Sequence, residues 1–495
     1  SRTLDMCLLK TTRPYFMVAI PTCCFTVAVS VLYLVSSASI GPECQLDFNS
    51  CSQEYEAETA SFFQLKRQRQ AHLHPRGGPI PVIHDNDANY DDILALLYIV
   101  SNPLFDLKAV PVVATGMSTP YGGPPNMKSI LEMMGKPDVP VAFGHPESLS
   151  PTATMPLQWR VEMDIFIEQM FEKSVPGENM TVLDEPKGEL SALSAPELIL
   201  KTLRESPCRV AILATGPLTN LAVALTADPS IVSNILAVFI MGSAYDGPNN
   251  VYNWQMQYNN IIGACAEEGL QNWVQSSLPL NLTRLPPATL TVAYSGHRGE
   301  YNNYSSVRPG CRGVDMTSKG NTEWNLFMDA LAWRKVMHFL KGSEAEVFVV
   351  ATNASLDMTV TLQSMNASAA TLSSPRLRTF MMELARAFLD AGEAKWWDAQ
   401  VAVMMAEVMT GSSQGVCEGW ALGRRAGVSL LWRSLLDSEE LETYGSLVDN
   451  PEADAPKIDF CLYGNVTRME EVYWPIVDGA SLLDGAVASS KFSEC

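Results

Sequence analysis

The chain has 495 residues, of which 47% are hydrophobic, and its formal net charge is −20 at pH 7. This length and apolar content allow one large α/β domain with additions, or two ordinary domains, and they exclude a disordered chain. An acidic surface repels phosphate backbones, so we expect no nucleic-acid partner.

Residues 1–39 are predicted to direct the rest of the chain across a membrane. Residues 15–35 carry no charged side chain and follow Lys10 and Arg13, and about 20 apolar residues can span a bilayer. The segment is either a single-pass signal anchor or a signal peptide cleaved near Ser36-Ser37-Ala38, with its positive flank in the cytoplasm. Both alternatives predict an extracellular, cell-surface or secretory-pathway lumenal protein.

Cysteines and glycosylation sequons beyond this segment fit an oxidising compartment. An even number of cysteines permits full pairing, and reduced buried thiols are the alternative. The eight cysteines are Cys44, Cys51, Cys208, Cys265, Cys311, Cys417, Cys461 and Cys495. The sequons, which predict a glycoprotein, begin at Asn179, Asn281, Asn303, Asn353, Asn366 and Asn465.

The next segment, residues 40–78, is polar and ends in the basic run Lys66-Arg67-Gln68-Arg69. We interpret it as a solvated stalk rather than a binding patch. The folded domain is predicted to occupy residues 79–495.

Predicted strands and helices alternate from residue 79 onwards. The strands are predicted at 79–84, 107–114, 139–143, 209–214 and 235–241, and the helices at 93–100, 127–134 and 218–225. This alternation predicts an α/β fold, with an open, mostly parallel sheet covered by helices on both faces. Such sheets bind ligands beyond the carboxyl ends of their strands, so the polar turns at 85–92, 215–217 and 241–242 should converge on one crevice.

Residues 251–321 interrupt the alternation. They are rich in Asn, Pro and Gly and contain Cys265 and Cys311. A structureless loop of this length is unusual in a compact domain. We therefore interpret it as an insertion, which a disulfide could clip.

Four carboxylates stand within eight residues after the first predicted strand, at Asp85, Asp87, Asp91 and Asp92. Like charges this close raise one another's pKa and destabilise the fold unless a cation neutralises them. Hard oxygen ligands suit calcium or magnesium. A solvated acidic turn is the alternative.

An EF-hand loop is excluded as the explanation of this cluster. Such a loop needs Gly at its sixth position and Glu at its twelfth, where this chain has Tyr90 and Leu96.

Five motifs stand in one order along the chain. They are Asp85-Asn86-Asp87-Ala88-Asn89-Tyr90-Asp91-Asp92, Thr215-Gly216-Pro217-Leu218-Thr219-Asn220, Met241-Gly242-Ser243, Thr322-Glu323-Trp324-Asn325 and Trp396-Trp397-Asp398-Ala399. In these motifs the chain resembles the nucleoside hydrolases, and it looks most like their purine-preferring and extracellular plant-like branch. The resemblance runs from about residue 79 to about 408, is interrupted by the insertion, and matches 409–495 poorly.

The resemblance implies a Rossmann-like nucleoside hydrolase fold and a bound Ca²⁺. It assigns the ion to Asp87, Asp92, Asp398 and the Thr215 carbonyl. It also makes Asp87 the catalytic base, which accepts the proton of a calcium-bound water.

The resemblance also implies a substrate site. Asp91, Asn250, Glu323 and Asn325 would hold the ribose hydroxyls. The residues Asn89 and Met241 are assigned to the same site. The chain departs from its relatives at Thr115-Gly116-Met117, where they often carry Asn or Asp, so part of the sugar or base contact is open.

Two tryptophans are expected to enclose the leaving base. Trp397 stands where the pyrimidine-accepting branch has a histidine, and Trp159 falls where the purine-preferring branch has its second tryptophan. Stacking on indole faces favours a base that becomes electron-poor. The alternatives are a core position for Trp397 and a surface position for Trp159.

The function implied is calcium-dependent hydrolysis of the N-glycosidic bond of purine ribonucleosides, such as inosine, adenosine and guanosine, through an oxocarbenium-like transition state. The alternatives are a broad or uridine-preferring nucleoside hydrolase and a calcium-dependent nucleoside-binding protein without turnover. A HAD-type phosphatase is disfavoured, because Asn89 stands where that family has Thr or Val. Relatives are commonly homodimers or homotetramers.

Overall fold

A computed structural model describes residues 78–144, 148–150, 157–245, 322–356, 358–389, 393–412, 415–430 and 445–479. All of them lie in one unit of the chain, Leu73–Cys495. The apolar segment 15–35, the stalk up to residue 77, Asn250 and the insertion 251–321 lie outside the described residues.

The strands are β1 Ile80–Asp85, β2 Phe105–Val112, β3 Val141–Phe143, β4 Val210–Ala214, β5 Ile235–Met241, β6 Glu346–Val350, β7 Thr359–Thr361, β8 Glu393–Lys395, β9 Cys417–Arg424, β10 Ala426–Val428, β11 Leu447–Asp449 and β12 Ile458–Gly464. The helices are α1 Tyr90–Ser101, α2 Gly123–Met133, α3 Leu157–Glu168, α4 Ala195–Glu205, α5 Thr219–Ala227, α6 Trp324–Met328, α7 Ala330–Leu340, α8 Thr352–Leu356, α9 Leu362–Ala369, α10 Pro375–Leu389, α11 Trp397–Thr410 and α12 Val466–Val477.

Eight strands form one sheet in the order β3-β2-β1-β4-β5-β6-β12-β9. Every neighbouring pair is parallel except β12 and β9, which are antiparallel. The predicted open, mostly parallel sheet is thus confirmed. The strand order reverses between β1 and β4, and sheets of this kind bind ligands at such a reversal.

Both faces of the sheet are covered, which explains why its central strands are almost continuously apolar. All residues of β4 and β5 are buried. In β1, Val82 packs into one core with α1 and α11, while the next residue, Ile83, packs into a second core with α4, α5 and α7. Successive side chains of a strand point to opposite faces, so one strand serves both cores.

The C-terminal part extends the same sheet. β12 lies beside β6, and β9 forms the edge. A disulfide joins Cys417 of β9 to Cys461 of β12. Helix α12 packs on α1, where the Tyr473 hydroxyl donates to the Leu94 carbonyl at 2.9 Å.

Helix α1 begins three residues before the predicted helix at 93–100. The reason is a capping box. The Asn89 side chain accepts a hydrogen bond from a backbone N–H in the first turn of the helix, and the Asp92 side chain accepts one from the Asn89 backbone N–H. Reciprocal capping satisfies amides that have no partner inside the helix.

Among the helices of the described part, none has the length and apolar character that crossing a bilayer requires.

Candidate active site

The turns after β1, β4 and β5 lie together at one edge of the sheet. The Thr215 hydroxyl, after β4, donates to Asp92 Oδ1 at 2.5 Å. The Asn325 amide donates to the carbonyl oxygens of Thr215 at 2.9 Å and of Met241 at 3.3 Å. Asn325 therefore connects the turns after β4 and β5.

Three buried carboxylates form the centre of this crevice. Asp91 and Asp92, in the first turn of α1, and Asp398, in the first turn of α11, each offer an oxygen within 4.8 Å of the other two. They are 6%, 0% and 2% exposed. Asp87, which is 4% exposed, is hydrogen-bonded to Asp92 at the rim of this cluster.

Burial and mutual repulsion raise the pKa of every carboxyl group here. The pKa of Asp91 rises to about 8, chiefly by burial and then by the charge of Asp87. Burial followed by repulsion from Asp398 raises the pKa of Asp92 well above its ordinary range. The same two causes, burial and neighbouring aspartates, raise the pKa of Asp398. The ionised form of these carboxyl groups is therefore strongly disfavoured unless a cation is bound.

These residues fit a divalent cation. In the described part of the chain, Asp91 Oδ1 and Asp85 Oδ2 are buried and have no hydrogen-bond partner. Carboxylate oxygens that lack donors are the ligands that calcium and magnesium prefer. Of the four predicted ligands, Asp92 and Asp398 lie in the cluster, while Asp87 and Thr215 are each hydrogen-bonded to Asp92. Asp91 completes the cluster, although the resemblance assigned Asp91 to the ribose.

His84 lies behind the cluster and was not identified from the sequence. It is fully buried, and burial lowers its pKa to about 3, so the ring is neutral. Its Nε2 is 3.0 Å from the Thr215 hydroxyl. Because that hydroxyl donates to Asp92, His84 Nε2 carries the proton and donates to Thr215. A lone histidine inside an apolar strand gave too little signal to be singled out.

Backbone close to Asp87 keeps it in place. A Cβ atom on Gly116 would lie 2.1 Å from Asp87 Cβ, and one on Gly216 would lie 3.0 Å from it. Burial raises the pKa of Asp87, and hydrogen bonds from Asp92 and from the Met117 amide oppose the rise. The segment where the chain departs from its relatives, Thr115-Gly116-Met117, therefore supports Asp87 through backbone rather than side chains.

Arg160 is a second residue that the sequence did not single out. Its guanidinium is buried, and its charge acts on Asp87 against the effect of burial on the pKa. Its position directly after Trp159, beside the predicted base site, was the available signal.

Glu323 is the N-cap residue of α6, and Asn325 lies in the first turn of that helix. The Glu323 carboxylate accepts the backbone amides of Asn325 at 2.8 Å and of Ser243 at 3.2 Å. It therefore holds the Met241-Gly242-Ser243 turn against the N-terminus of α6.

The remaining predicted substrate residues have different surroundings. The Asn89 side chain accepts the Tyr90 amide at 2.8 Å and caps α1. Trp397 is half-buried, and its indole N–H donates to the Tyr90 hydroxyl beside Asp398. Trp159 lies in α3, and Asn250 lies outside the described residues.

The sequence model of one family, described as inosine-uridine preferring nucleoside hydrolase, matches residues 82–414. The pyrimidine-specific ribonucleoside hydrolase RihA of Citrobacter koseri is 36% identical over 168 residues, which are 33% of this chain and 48% of that protein. RihA of Salmonella enteritidis is 34% identical over 165 residues, or 33% and 49%. The chain thus spans about half the length of the curated relatives it matches.

Solved structures share the fold. The inosine-uridine preferring nucleoside hydrolase of Bacillus anthracis has a TM-score of 0.53 at 16% identity and covers 81% of this chain and 99% of its own. The purine-preferring ribonucleoside hydrolase of Gardnerella vaginalis has a TM-score of 0.52 at 14% identity and covers 81% and 98%.

Proposed function

Because this chain belongs to the inosine-uridine preferring nucleoside hydrolase family, we propose that it hydrolyses the N-glycosidic bond of ribonucleosides to a free base and ribose. The supporting observation is the buried cluster of Asp91, Asp92 and Asp398, with Asp87 at its rim, at the reversal of the strand order.

The reaction requires negative charge near the sugar and an acceptor for the proton of water. As the N-glycosidic bond breaks, its electron pair leaves with the base and the ribosyl group becomes cationic. Buried carboxylates stabilise that cation, because electrostatic interactions are strong in a site that excludes water. The oxygen of the attacking water bonds to the anomeric carbon as the N-glycosidic bond breaks, and one water proton passes to Asp87. The departing base takes up a proton from solvent, to which Asp87 later releases its own.

Calcium is the ion we propose for this site. The residues that would hold it are Asp92 and Asp398, with Asp87, Asp91 and the Thr215 carbonyl as further oxygen donors. When bound, the ion neutralises the carboxylates and lowers the pKa of a water molecule that it coordinates. The chain's own contribution is to hold the donors: His84 and Thr215 orient Asp92, and the Met117 amide orients Asp87.

The ribose would be bound by Asp91, Glu323, Asn325 and Asn250. In the described geometry Glu323 and Asn325 are engaged with backbone groups of the crevice. Ribose hydroxyls would compete for these contacts, so ribose binding and the arrangement of the turns would be coupled.

A purine is the base we propose, enclosed by Trp159 and Trp397. Trp397 fits this role because it is only half-buried and lies directly before Asp398. Its neighbour Trp396 is fully buried in the core, 4.9 Å from the ring of Tyr473. A uridine-preferring or broad enzyme is the alternative, and among the proteins that the chain resembles RihA is named pyrimidine-specific.

One assay tests the activity. Release of reducing sugar from inosine and uridine is measured with and without calcium, using wild type, Asp87→Ala and Asn325→Ala. We expect Asp87→Ala to lose nearly all turnover, because it removes the proton acceptor. Asn325→Ala should lose less, since it removes hydrogen bonds to Thr215, to Met241 and to the proposed ribose, each worth on the order of 1 kcal/mol, and leaves the proton acceptor in place.

An Asp87→Ala variant that keeps more than about a tenth of wild-type turnover would contradict the role of Asp87 as base. Tight nucleoside binding without any sugar release would favour a binding protein over an enzyme.

We also propose that the domain resides in an oxidising, extracellular or lumenal compartment. The disulfide between Cys417 and Cys461 supports this location. Asn179 is exposed, whereas the hydroxyl of the sequon at Asn353, on Ser355, is buried against Gln400 at 2.8 Å. Peptide mapping of secreted protein should find a glycan at Asn179 and none at Asn353, and unglycosylated cytosolic protein would contradict the proposal.

A further inference from the structure

Helix α3 directs two buried ionisable side chains, Arg160 and Asp164, towards the loop after β2. Arg160 and Asp164 are four residues apart, so they lie on one face of the helix. They are 1% and 5% exposed. Burying an ionisable group is costly unless the group is paired or hydrogen-bonded. The hydrogen bonds of these two side chains therefore indicate which segment the helix fixes in place.

Both side chains bind successive residues of the same loop. Arg160 Nε donates to the Ser118 carbonyl at 2.8 Å. The Asp164 carboxylate accepts the Thr119 amide at 3.1 Å and the Thr119 hydroxyl at 2.5 Å. Gly122 leaves room for this contact, because a Cβ atom there would lie 2.1 Å from Asp164 Cγ.

The other end of this loop touches Asp87. Gly116 packs against the Asp87 side chain, and the Met117 amide donates to its carboxylate. Residues 115–119 therefore lie between Asp87 and helix α3, with backbone contacts at one end and buried charges at the other.

We propose that Arg160 and Asp164 form a clamp that fixes the loop 115–119 and thereby positions Asp87 for calcium binding and proton transfer. The two are positioning residues that act through Ser118, Thr119 and the Met117 amide, and the positive charge of Arg160 also favours the ionised form of Asp87. Because Trp159 directly precedes Arg160 in α3, the clamp also joins the helix of the proposed base site to the acidic cluster. The catalytic part of this inference rests on the proposed function.

The test compares Arg160→Met with Arg468→Met. Arg468 also forms an ion pair with a buried carboxylate, with Nε 3.1 Å from Glu407 Oε1, although its own side chain is 27% exposed. Glu407 lies nine residues beyond Asp398 in α11, which is roughly 13 Å along a helix axis at 1.5 Å per residue. Both substitutions remove a guanidinium that is hydrogen-bonded to a buried partner, and only Arg160→Met removes one from the clamp.

Three quantities are measured on the full chain: hydrogen exchange of the 115–119 segment, calcium affinity after chelator treatment, and kcat and KM for inosine at saturating calcium. Arg160→Met should speed exchange in this segment and weaken calcium binding about 10- to 100-fold, the usual cost of losing a group that orients metal ligands. It should lower kcat by a similar factor with little change in KM. Arg468→Met should lower the melting temperature and leave all three unchanged.

Thr119→Val is the second variant if Arg160→Met does not fold. It leaves Arg160 in place and removes the hydroxyl that donates to Asp164 and accepts the Tyr121 and Gly122 amides. It should weaken calcium binding by a smaller factor in the same direction. Calcium affinity and segment exchange in Arg160→Met within twofold of wild type, or changed equally in Arg468→Met, would overturn the clamp. A wild type without hydrolase activity would refute the proposed function, while the exchange measurement would still decide the clamp.

Discussion

Two residues beside the crevice have left-handed backbone without being glycine. Ala88 has φ 61° and Ser243 has φ 80°. For a residue with a Cβ atom this conformation costs roughly 1–2 kcal/mol. Such strain persists where the surroundings enforce it, often at functional sites. Two hydrogen bonds enforce the backbone conformation of Ser243: its amide donates to the Glu323 carboxylate, and its carbonyl oxygen accepts the Thr352 amide.

Ser243→Gly is expected to stabilise the protein. The change removes the strain and a buried hydroxyl that has no hydrogen-bond partner among the described residues. Glycine costs roughly 0.5–1 kcal/mol of extra chain entropy, so the net gain should be about 1 kcal/mol, or about 2 °C in melting temperature.

Ser206 is the control for this prediction, because its φ of −67° is ordinary. Ser206→Gly should only destabilise. A melting temperature that falls in both variants would show that the strain at Ser243 is not relieved by glycine.

Trp397→Ala tests the purine preference. Stacking on an indole is worth roughly 1–3 kcal/mol per base, and a bicyclic purine buries more of the ring than a pyrimidine does. We therefore expect kcat/KM for inosine to fall strongly and that for uridine to change little. Trp159→Ala should act in the same direction.

Uridine turnover is the internal control, because Trp397 directly precedes Asp398 and damage to the carboxylate cluster would reduce both activities equally. Trp420→Ala, a half-buried tryptophan on β9, provides the external control. If the wild-type kcat/KM for inosine were nearly equal to that for uridine, the tryptophans would have a structural role and no role in base selection.

At the scale of elements, β9 is an edge strand of the sheet with irregular pairing. It pairs with β12 alone in the sheet order, and the register between them is irregular at three places. The disulfide between Cys417 and Cys461 closes a separation of 44 residues. The C-terminal edge therefore depends on a covalent link as well as on pairing.

Replacing both Cys417 and Cys461 by serine should cost about 2–4 kcal/mol, because the link restricts the unfolded chain. Denaturant unfolding measures the loss, and wild type with reductant provides a second test. Calcium affinity should stay unchanged, since β9 and β12 carry none of the proposed ligands. A loss below about 0.5 kcal/mol would mean that strand pairing alone holds the edge.

At the scale of the whole molecule, the acidic cluster sets how stability depends on pH and calcium. Burial raises the pKa of Asp85 to about 7, and burial with the charge of Asp87 raises that of Asp91 to about 8. Between pH 4 and 7 the unfolded chain ionises both groups while the folded protein keeps them protonated, and Asp91 extends this window to about pH 8. The folded state then binds more protons, so stability falls as pH rises.

Chelator-treated protein should therefore have a lower melting temperature at pH 8 than at pH 5, and calcium should restore most of the difference at pH 8 by binding the folded state. Asp91→Asn should flatten the pH dependence. High salt is the control for surface repulsion from the net charge of −20, because salt screens exposed charges more than buried ones. Melting independent of calcium at pH 8 would contradict the metal site.

The sequence alone predicted the parallel sheet and the convergence of its polar turns. β1, β4 and β5 are recognisable because strands covered on both faces are continuous apolar runs, and parallel strands bring their carboxyl ends to one edge. The carboxylates Asp87, Asp91 and Asp92 were identifiable because four acids within eight residues repel one another, and a bound cation neutralises that repulsion.

Only the tertiary structure decided which groups surround those carboxylates. His84, Arg160 and Asp164 each stand among residues that give no pattern, and their roles come from contacts with Thr215, Ser118 and Thr119. The sequence likewise could not predict that β12 lies between β6 and β9 in the sheet. Periodicity along a chain reports which face of an element is buried. It carries no information on which distant segment covers that face, because that choice is made by packing between segments far apart in the sequence.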